Sequence, residues 1–250
     1  MSNYPYRMEV PNQENYIFET DAVKIAKQYS QLKFKTMLDI GAHAGYFSLY
    51  VAEQADIVYA IEPVMDNYWC LVKNIINNSL SNKVFPMLCA MRHEEGDVEI
   101  HHLQGGNSGQ HLMSRVNSDR SVRIKAISLP NLLRLVGQVD YLKCDIEGTE
   151  YNIFPPTQEI ASILCNVKIL ELSTHSPWRS DVFTEETFRE FSAYRNLETA
   201  EQELIGFLTD VGFRFIVDRS NGDIYHGYNA NYIYTGENTN FTNLTKEVIV

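Results

Sequence analysis

Cysteine is scarce and poorly spaced for chemistry. The 250 residues hold four, Cys70, Cys89, Cys144 and Cys165. None forms a C-x-x-C pair, so neither a zinc site nor a disulfide framework is indicated. Reduced thiols in the cytoplasm are the simplest account. Basic residues are outnumbered, with 21 Lys and Arg against 32 Asp and Glu and a net charge of −11. Sequence-independent binding of nucleic acid needs clustered cations, so this balance argues against it while leaving room for a small local basic patch. No apolar run is long enough to span a bilayer, and residues 1–7 form no apolar signal region. Repeats and composition breaks are missing too. With 44% hydrophobic residues, the chain reads as one α/β domain over 16–235, preceded by an arm or lid at 1–15 and followed by a polar tail at 236–250.

What is present begins at Met37-Leu38-Asp39-Ile40-Gly41-Ala42-His43-Ala44-Gly45-Tyr46-Phe47. An apolar strand runs into a glycine loop, and Ser48–Ala52 continues as a helix. Glycine suits such a turn because it tolerates positive φ and lets a ligand lie against the backbone. The second half of the signal is Val58-Tyr59-Ala60-Ile61-Glu62-Pro63, a strand ending in an acid 23 residues beyond Asp39. An acid at that place suits the hydroxyls of a ribose. A dinucleotide loop would carry G-x-G-x-x-G and approach a pyrophosphate. Here the pattern is Asp-x-Gly-x-x-x-Gly, whose acid repels an anion and favours a sulfonium or ammonium. S-adenosylmethionine (SAM) fits better than a nicotinamide dinucleotide.

Further strands are expected at 84–90, 98–102, 121–127, 140–145, 166–173, 213–218 and 231–235, with helices at 16–31, 66–80, 131–136, 184–194 and 199–210, the last stopped by Gly212. Ser220–Asp223 reads as a turn between the final strands. Strands alternating with helices and closing on an antiparallel pair make an open α/β sheet. Ligands bind beyond the carboxyl ends of such strands. That rule selects 39–45, Glu62, 89–91, 145–147 and 173–178.

Lys143 and Asp145 share one face of a strand. A buried lysine needs a partner, and Glu171 on the neighbouring strand is the expected one. Methylating an alcohol requires a base within hydrogen-bond reach of its proton, and Asp145, Glu147 and His175 are the candidates. Asp145 has two other readings, as a helix cap or as a contact of the methionine amino group. His43 is a further catalytic candidate, against packing or capping. His175 and Trp178 stand at the rim of the site. Asp145, Glu171 and His175 together could take Mg²⁺, although no close ligand spacing supports a metal.

Leu38–Phe47, Ile61-Glu62-Pro63 and Val139-Asp140-Tyr141-Leu142-Lys143-Cys144-Asp145-Ile146-Glu147-Gly148-Thr149-Glu150 resemble the FkbM family of SAM-dependent methyltransferases over about residues 16–235. The Lys-x-Asp-x-Glu-Gly-x-Glu stretch is the specific part. The resemblance implies a class I methyltransferase (Rossmann-like) fold, a seven-stranded mixed sheet with helices on both faces. It also implies O-methylation of a small hydroxylated acceptor such as a sugar, a polyketide or another secondary metabolite. Carried over, Asp39, Gly41, Ala42, His43 and Gly45 line the methionine end, Glu62 and Pro63 the ribose, and Ala90 and Met91 the adenine. Asp145 faces the methyl group. His43 stands where the family usually has Asn, and Ser128-Leu129-Pro130 replaces its Leu-Asp. An RNA or protein methyltransferase, a nicotinamide-dependent oxidoreductase and a SAM-binding module without catalysis are the alternatives.

Overall fold

The computed structural model describes residues 5–9, 26–102, 111–112, 121–146, 148–175, 188–189, 192–194, 196, 198–218, 224–225, 228–229 and 231–241. Thirteen strands and six helices are labelled among them. The strands are β1 (Phe34–Ile40), β2 (Ala55–Ile61), β3 (Val84–Met87), β4 (Ala90–Met91), β5 (Gly96–His102), β6 (His111–Leu112), β7 (Ser121–Ile127), β8 (Tyr141–Cys144), β9 (Ile169–His175), β10 (Phe213–Asp218), β11 (Ile224–Tyr225), β12 (Tyr228–Asn229) and β13 (Asn231–Asn238). The helices are α1 (Tyr46–Val51), α2 (Met65–Asn77), α3 (Leu129–Val136), α4 (Glu150–Ile153), α5 (Gln158–Leu164) and α6 (Ala200–Val211).

Strands whose residues are apolar on both faces go to the middle of a sheet. β8 and β9 are buried at every residue, and they lie at the centre of a seven-stranded sheet ordered β10-β13-β9-β8-β1-β2-β3. β9, β8, β1, β2 and β3 run parallel, and β13 is antiparallel to both β9 and β10. The mixed sheet therefore matches the expected one. Met37, Val58, Tyr141 and Ile169 pack on one face with Phe47, Leu49, Leu71 and Ile75 of α1 and α2. Leu38, Ile40, Leu142 and Leu170 pack on the other with Leu132, Ile160, Leu164 and Leu204 of α3, α5 and α6.

Side-chain caps explain two helix starts. Ser128 Oγ accepts the Asn131 amide and Thr157 Oγ1 accepts that of Ile160, each satisfying an amide the helix itself leaves open. Ser128, where the sequence departs from the family pattern, thus caps the entry to α3.

Three expectations shift. The strand expected at 84–90 ends at Met87. Ala90 and Met91 instead begin a separate four-stranded sheet, β4-β7-β5-β6, with its own small core of Val64, Ala90, Val98, Ile100 and Ala126. Pro86 within β3 paired to Ala60 marks an edge strand, where a missing amide is tolerated. β13 continues to Asn238, three residues into the expected tail, because Asn238 Nδ2 donates to the Leu164, Cys165 and Val167 carbonyls. The expected helices at 16–31 and 184–194 and the turn at 220–223 fall mostly or wholly outside the described residues; 26–28 and 188–189 are helical. No helix among the described residues is long and apolar enough to cross a membrane.

Part of the expected N-terminal arm is docked. Asn74, fully buried on α2, accepts the Glu9 amide at 2.7 Å and donates to the Glu9 carbonyl at 2.8 Å. Asn78 one turn later treats Arg7 the same way, at 3.1 and 2.8 Å. Asn74 Nδ2 also donates to the Ala44 carbonyl in the glycine loop at 2.9 Å. One carboxamide ties arm, helix and loop. Asn74→Ala should release residues 5–9, seen as faster amide exchange there. It should also destabilise the protein by about 1–3 kcal/mol in denaturant melts, since buried backbone groups lose their partners.

Candidate active site

Parallel register lines up Asp39 of β1, Lys143 of β8 and Glu171 of β9 in one row across the sheet. Their exposures are 0%, 5% and 0%. Lys143 Nζ lies 3.1 Å from Asp39 Oδ1 and donates to the Gly41 carbonyl at 3.1 Å, with Asp145 Oδ2 at 4.0 Å and the Phe47 ring below. Burial by itself drives an ammonium toward neutrality, but the charges of Asp39, Asp145 and Glu171 outweigh it and Lys143 is held above its usual pKa. The expected Lys143–Glu171 pair does not form. Lysine reaches toward the strand tip, where a carbonyl and two carboxylates converge, and Glu171 Oε2 instead takes the Tyr141 hydroxyl. Burial pushes the Glu171 carboxyl up to about 8, against the opposing effects of Tyr141 and Lys143.

Ser48 Oγ donates to Asp39 Oδ2 at 2.6 Å, so both Asp39 oxygens are engaged beneath the loop. Above it, Gly41 and Gly45 take φ of 86° and 93°, and His43 follows at 51°. A Cβ on Gly41 would lie 1.9 Å from the Asp145 carbonyl oxygen; only glycine fits there. The Gly41 and Ala42 amides both donate to the Ile61 carbonyl, at 3.0 and 2.9 Å. The His43 ring stacks on Tyr46.

Glu62, 4% exposed, follows β2 at its carboxyl end. It accepts the His43 amide at 2.8 Å, the Val64 amide at 2.9 Å and Asn67 Nδ2 at 3.2 Å. Burial raises its carboxyl to about 7 despite these three donors. Pro63 adjoins it. Ala90 and Met91, by contrast, are 1% and 3% exposed in the cores beside β4.

Beyond the tips of β8 and β9 a second cluster forms. His175 Nδ1 lies 2.8 Å from Glu150 Oε1, and His175 Nε2 lies 3.5 Å from Asp145 Oδ1. The Ile146 amide donates to the same Glu150 oxygen at 3.0 Å. The His175 side chain is 5% exposed, whereas that of Asp145 is 38% exposed. Donor atoms of Asp145, Glu150 and His175 all lie within 4.8 Å of one another, a spacing that could hold a divalent ion but does not by itself mark a metal site, with Glu150 where the sequence suggested Glu171. Glu147 and Trp178 lie outside the described residues. Glu150 is the site residue that sequence reasoning missed. Its only signal was a fourth charged position in the Lys-x-Asp-x-Glu-Gly-x-Glu stretch.

One solved structure shares this fold. The precorrin-6y C5,15-methyltransferase of Geobacter metallireducens GS-15 aligns with a TM-score of 0.50 at 13% identity, over 92% of this chain and 94% of that one. An rRNA methylase of Streptococcus thermophilus gives a TM-score of 0.49 at 9% identity, over 89% and 99%. At such identities the likeness concerns the fold. No curated protein matches the chain significantly. The methyltransferase FkbM domain does, over residues 39–215.

Three outcomes follow from the geometry. Lys143→Met should strand a buried Asp39 charge and cost about 3–5 kcal/mol, while adding Asp39→Asn should recover most of that loss in thermal melts. A ribose hydrogen-bonds the ionised form of Glu62, so S-adenosylhomocysteine affinity measured by calorimetry should rise as pH climbs through about 7 and then level off; Glu62→Gln should flatten that profile. The ligand-free protein should run the other way. A carboxyl raised by burial favours the folded state while protonated, so this contribution to stability falls as pH rises from the ordinary carboxylate range to about 7. Since the family match reaches from Asp39 beneath the glycine loop to β10 near the sheet's antiparallel edge, the chain belongs to the methyltransferase FkbM family, an enzyme family whose methyl donor is SAM.

Proposed function

We propose that this methyltransferase acts in the cytoplasm and transfers the SAM methyl group to a hydroxyl of a small acceptor, a sugar, polyketide or related secondary metabolite. The observation that carries the reading is the placement of His175 and Asp145, an imidazole and a partly exposed carboxylate 3.5 Å apart beside the glycine loop. An alcohol is a poor nucleophile until its proton is accepted, and this pair supplies an acceptor at the strand tips. The acceptor oxygen forms the new O–CH₃ bond as the S–CH₃ bond breaks. The electron pair returns to sulfur, and the hydroxyl proton passes to the cluster. Holding the two reactants in line supplies much of the rate.

The backbone of Gly41, Ala42, His43 and Gly45 receives the methionine end, with Asp39 supporting it from beneath. Glu62 and Pro63 hold the ribose, the backbone at Ala90 and Met91 flanks the adenine, and Asp145 faces the methyl group. A net charge of −11 favours a small acceptor over the polyanionic backbone of RNA.

The test uses SAM labelled in its methyl group against hydroxylated sugars and polyketides, with RNA transcripts and proteins in parallel. O-methylated small molecules are expected. Label found in RNA or protein alone would overturn the reading. Asp145→Asn should lower turnover at least about 100-fold while S-adenosylhomocysteine affinity holds; a SAM binder without catalysis would show no turnover to lose.

A further inference from the structure

Glu150 opens the short helix α4 with its carboxylate completely buried. Carboxylates are seldom buried without a reason, because removal from water penalises the charge. Its Oε1 accepts the Ile146 amide at 3.0 Å and meets His175 Nδ1 at 2.8 Å. An oxygen that already takes one N–H is presenting its lone pairs, and a carboxylate has no proton to give. With Glu150 as the carboxylate, the bridging proton sits on Nδ1. Imidazole carries one ring proton when neutral, so this bond directs the basic lone pair to Nε2. Nε2 is the nitrogen that faces Asp145 Oδ1 at 3.5 Å.

Two further contacts hold the ring in that pose. Tyr151, the residue after Glu150, donates its hydroxyl to the His175 carbonyl at 3.1 Å. Tyr151 is itself fixed edge-on between Phe188 and Tyr194. One turn of chain thus grips both the side chain and the main chain of His175. Meanwhile Glu150 Oε2 is buried with no hydrogen-bond partner among the described residues. That half-satisfied anion gains when the ring beside it becomes positive, which is what accepting a proton does.

We infer that Glu150 is the positioning residue that makes His175 the proton acceptor: it fixes the Nδ1–H tautomer, aims Nε2 at the acceptor hydroxyl and stabilises the imidazolium that forms. The inference rests on the methyl-transfer reading for the origin of the proton. The step balances as before, with the hydroxyl proton ending on Nε2 and the sulfur lone pair on S-adenosylhomocysteine. Asp145 then serves as the second charge beside the imidazolium rather than as the base.

The tautomer can be read without knowing the acceptor. Protein labelled with ¹⁵N-histidine and saturated with S-adenosylhomocysteine is examined by long-range ¹⁵N–¹H correlation, His175 being assigned by its loss in His175→Gln. The expected spectrum shows a protonated Nδ1 and a bare Nε2. In Glu150→Gln the ratio of that tautomer to its Nε2–H counterpart should fall at least about tenfold, and Glu150→Asp should recover part of it. Affinity for S-adenosylhomocysteine should stay within about threefold in both. An Nε2–H tautomer in the wild type, or a doubly protonated ring at mildly alkaline pH, overturns the inference even if Glu150→Gln does not fold. Unchanged tautomers in a folded Glu150→Gln also overturn it. Micromolar Mn²⁺ that selectively broadens the His175 ring signals would assign the cluster to a metal instead. Failure to O-methylate any acceptor would count against the methyl-transfer reading and leave the tautomer result standing.

Discussion

Lys143 is the charge on which the site depends. It sits in the middle of the sheet, nearly sealed from water, at a cost that only close anions repay. Asp39 supplies one from the neighbouring strand, and the Gly41 carbonyl supplies a dipole from the first turn of the loop. The ion pair thus binds the glycine loop to strand β8 as well as neutralising two charges. Because Asp39 and Lys143 face each other in the strand register, a slip of one residue would send the two to opposite faces.

That pairing also changes the electrostatic picture of the cofactor crevice. Asp39 is neutralised from below and hydrogen-bonded by Ser48, so it acts chiefly as a support. The other acids near the crevice are Glu62, Asp145 and Glu150, the last two beside His175. Glu62 is prepared by two backbone amides and a carboxamide, a rigid arrangement that loses little freedom on meeting a ribose. A cationic methyl donor arriving among these acids relieves repulsion that a phosphate would increase.

Around this centre, elements outside the strand–helix alternation act as braces. The docked residues 7–9 reach the loop through Asn74. His93, in the connection after β4, is bound at its amide and its ring by Asn152 of α4, the helix whose first residue grips His175. The second sheet and the His175 cluster are therefore linked through the three residues Glu150-Tyr151-Asn152.

Much of this could be read from the sequence because it is local. Gly41 and Gly45 mark a turn wherever they occur between an apolar strand and a helix, and Glu62 follows from the length of one strand–helix–strand unit. The antiparallel end of the sheet showed in the alternation of Phe213–Asp218 and Asn231–Thr235. Only the tertiary structure decided which charges meet. Lys143 had two carboxylates in its row, and the choice of Asp39 came from side-chain reach toward the Gly41 carbonyl. Ala90 and Met91 look like the continuation of β3, yet Pro86 makes β3 an edge strand and they pair with β7 instead. Glu150 and His175 are 25 residues apart, and Asn74 and Glu9 are 65 apart; no spacing rule connects them. Periodicity fixes which face a residue occupies, whereas a hydrogen bond needs a partner within about 3 Å, and strand order and register alone bring such partners together.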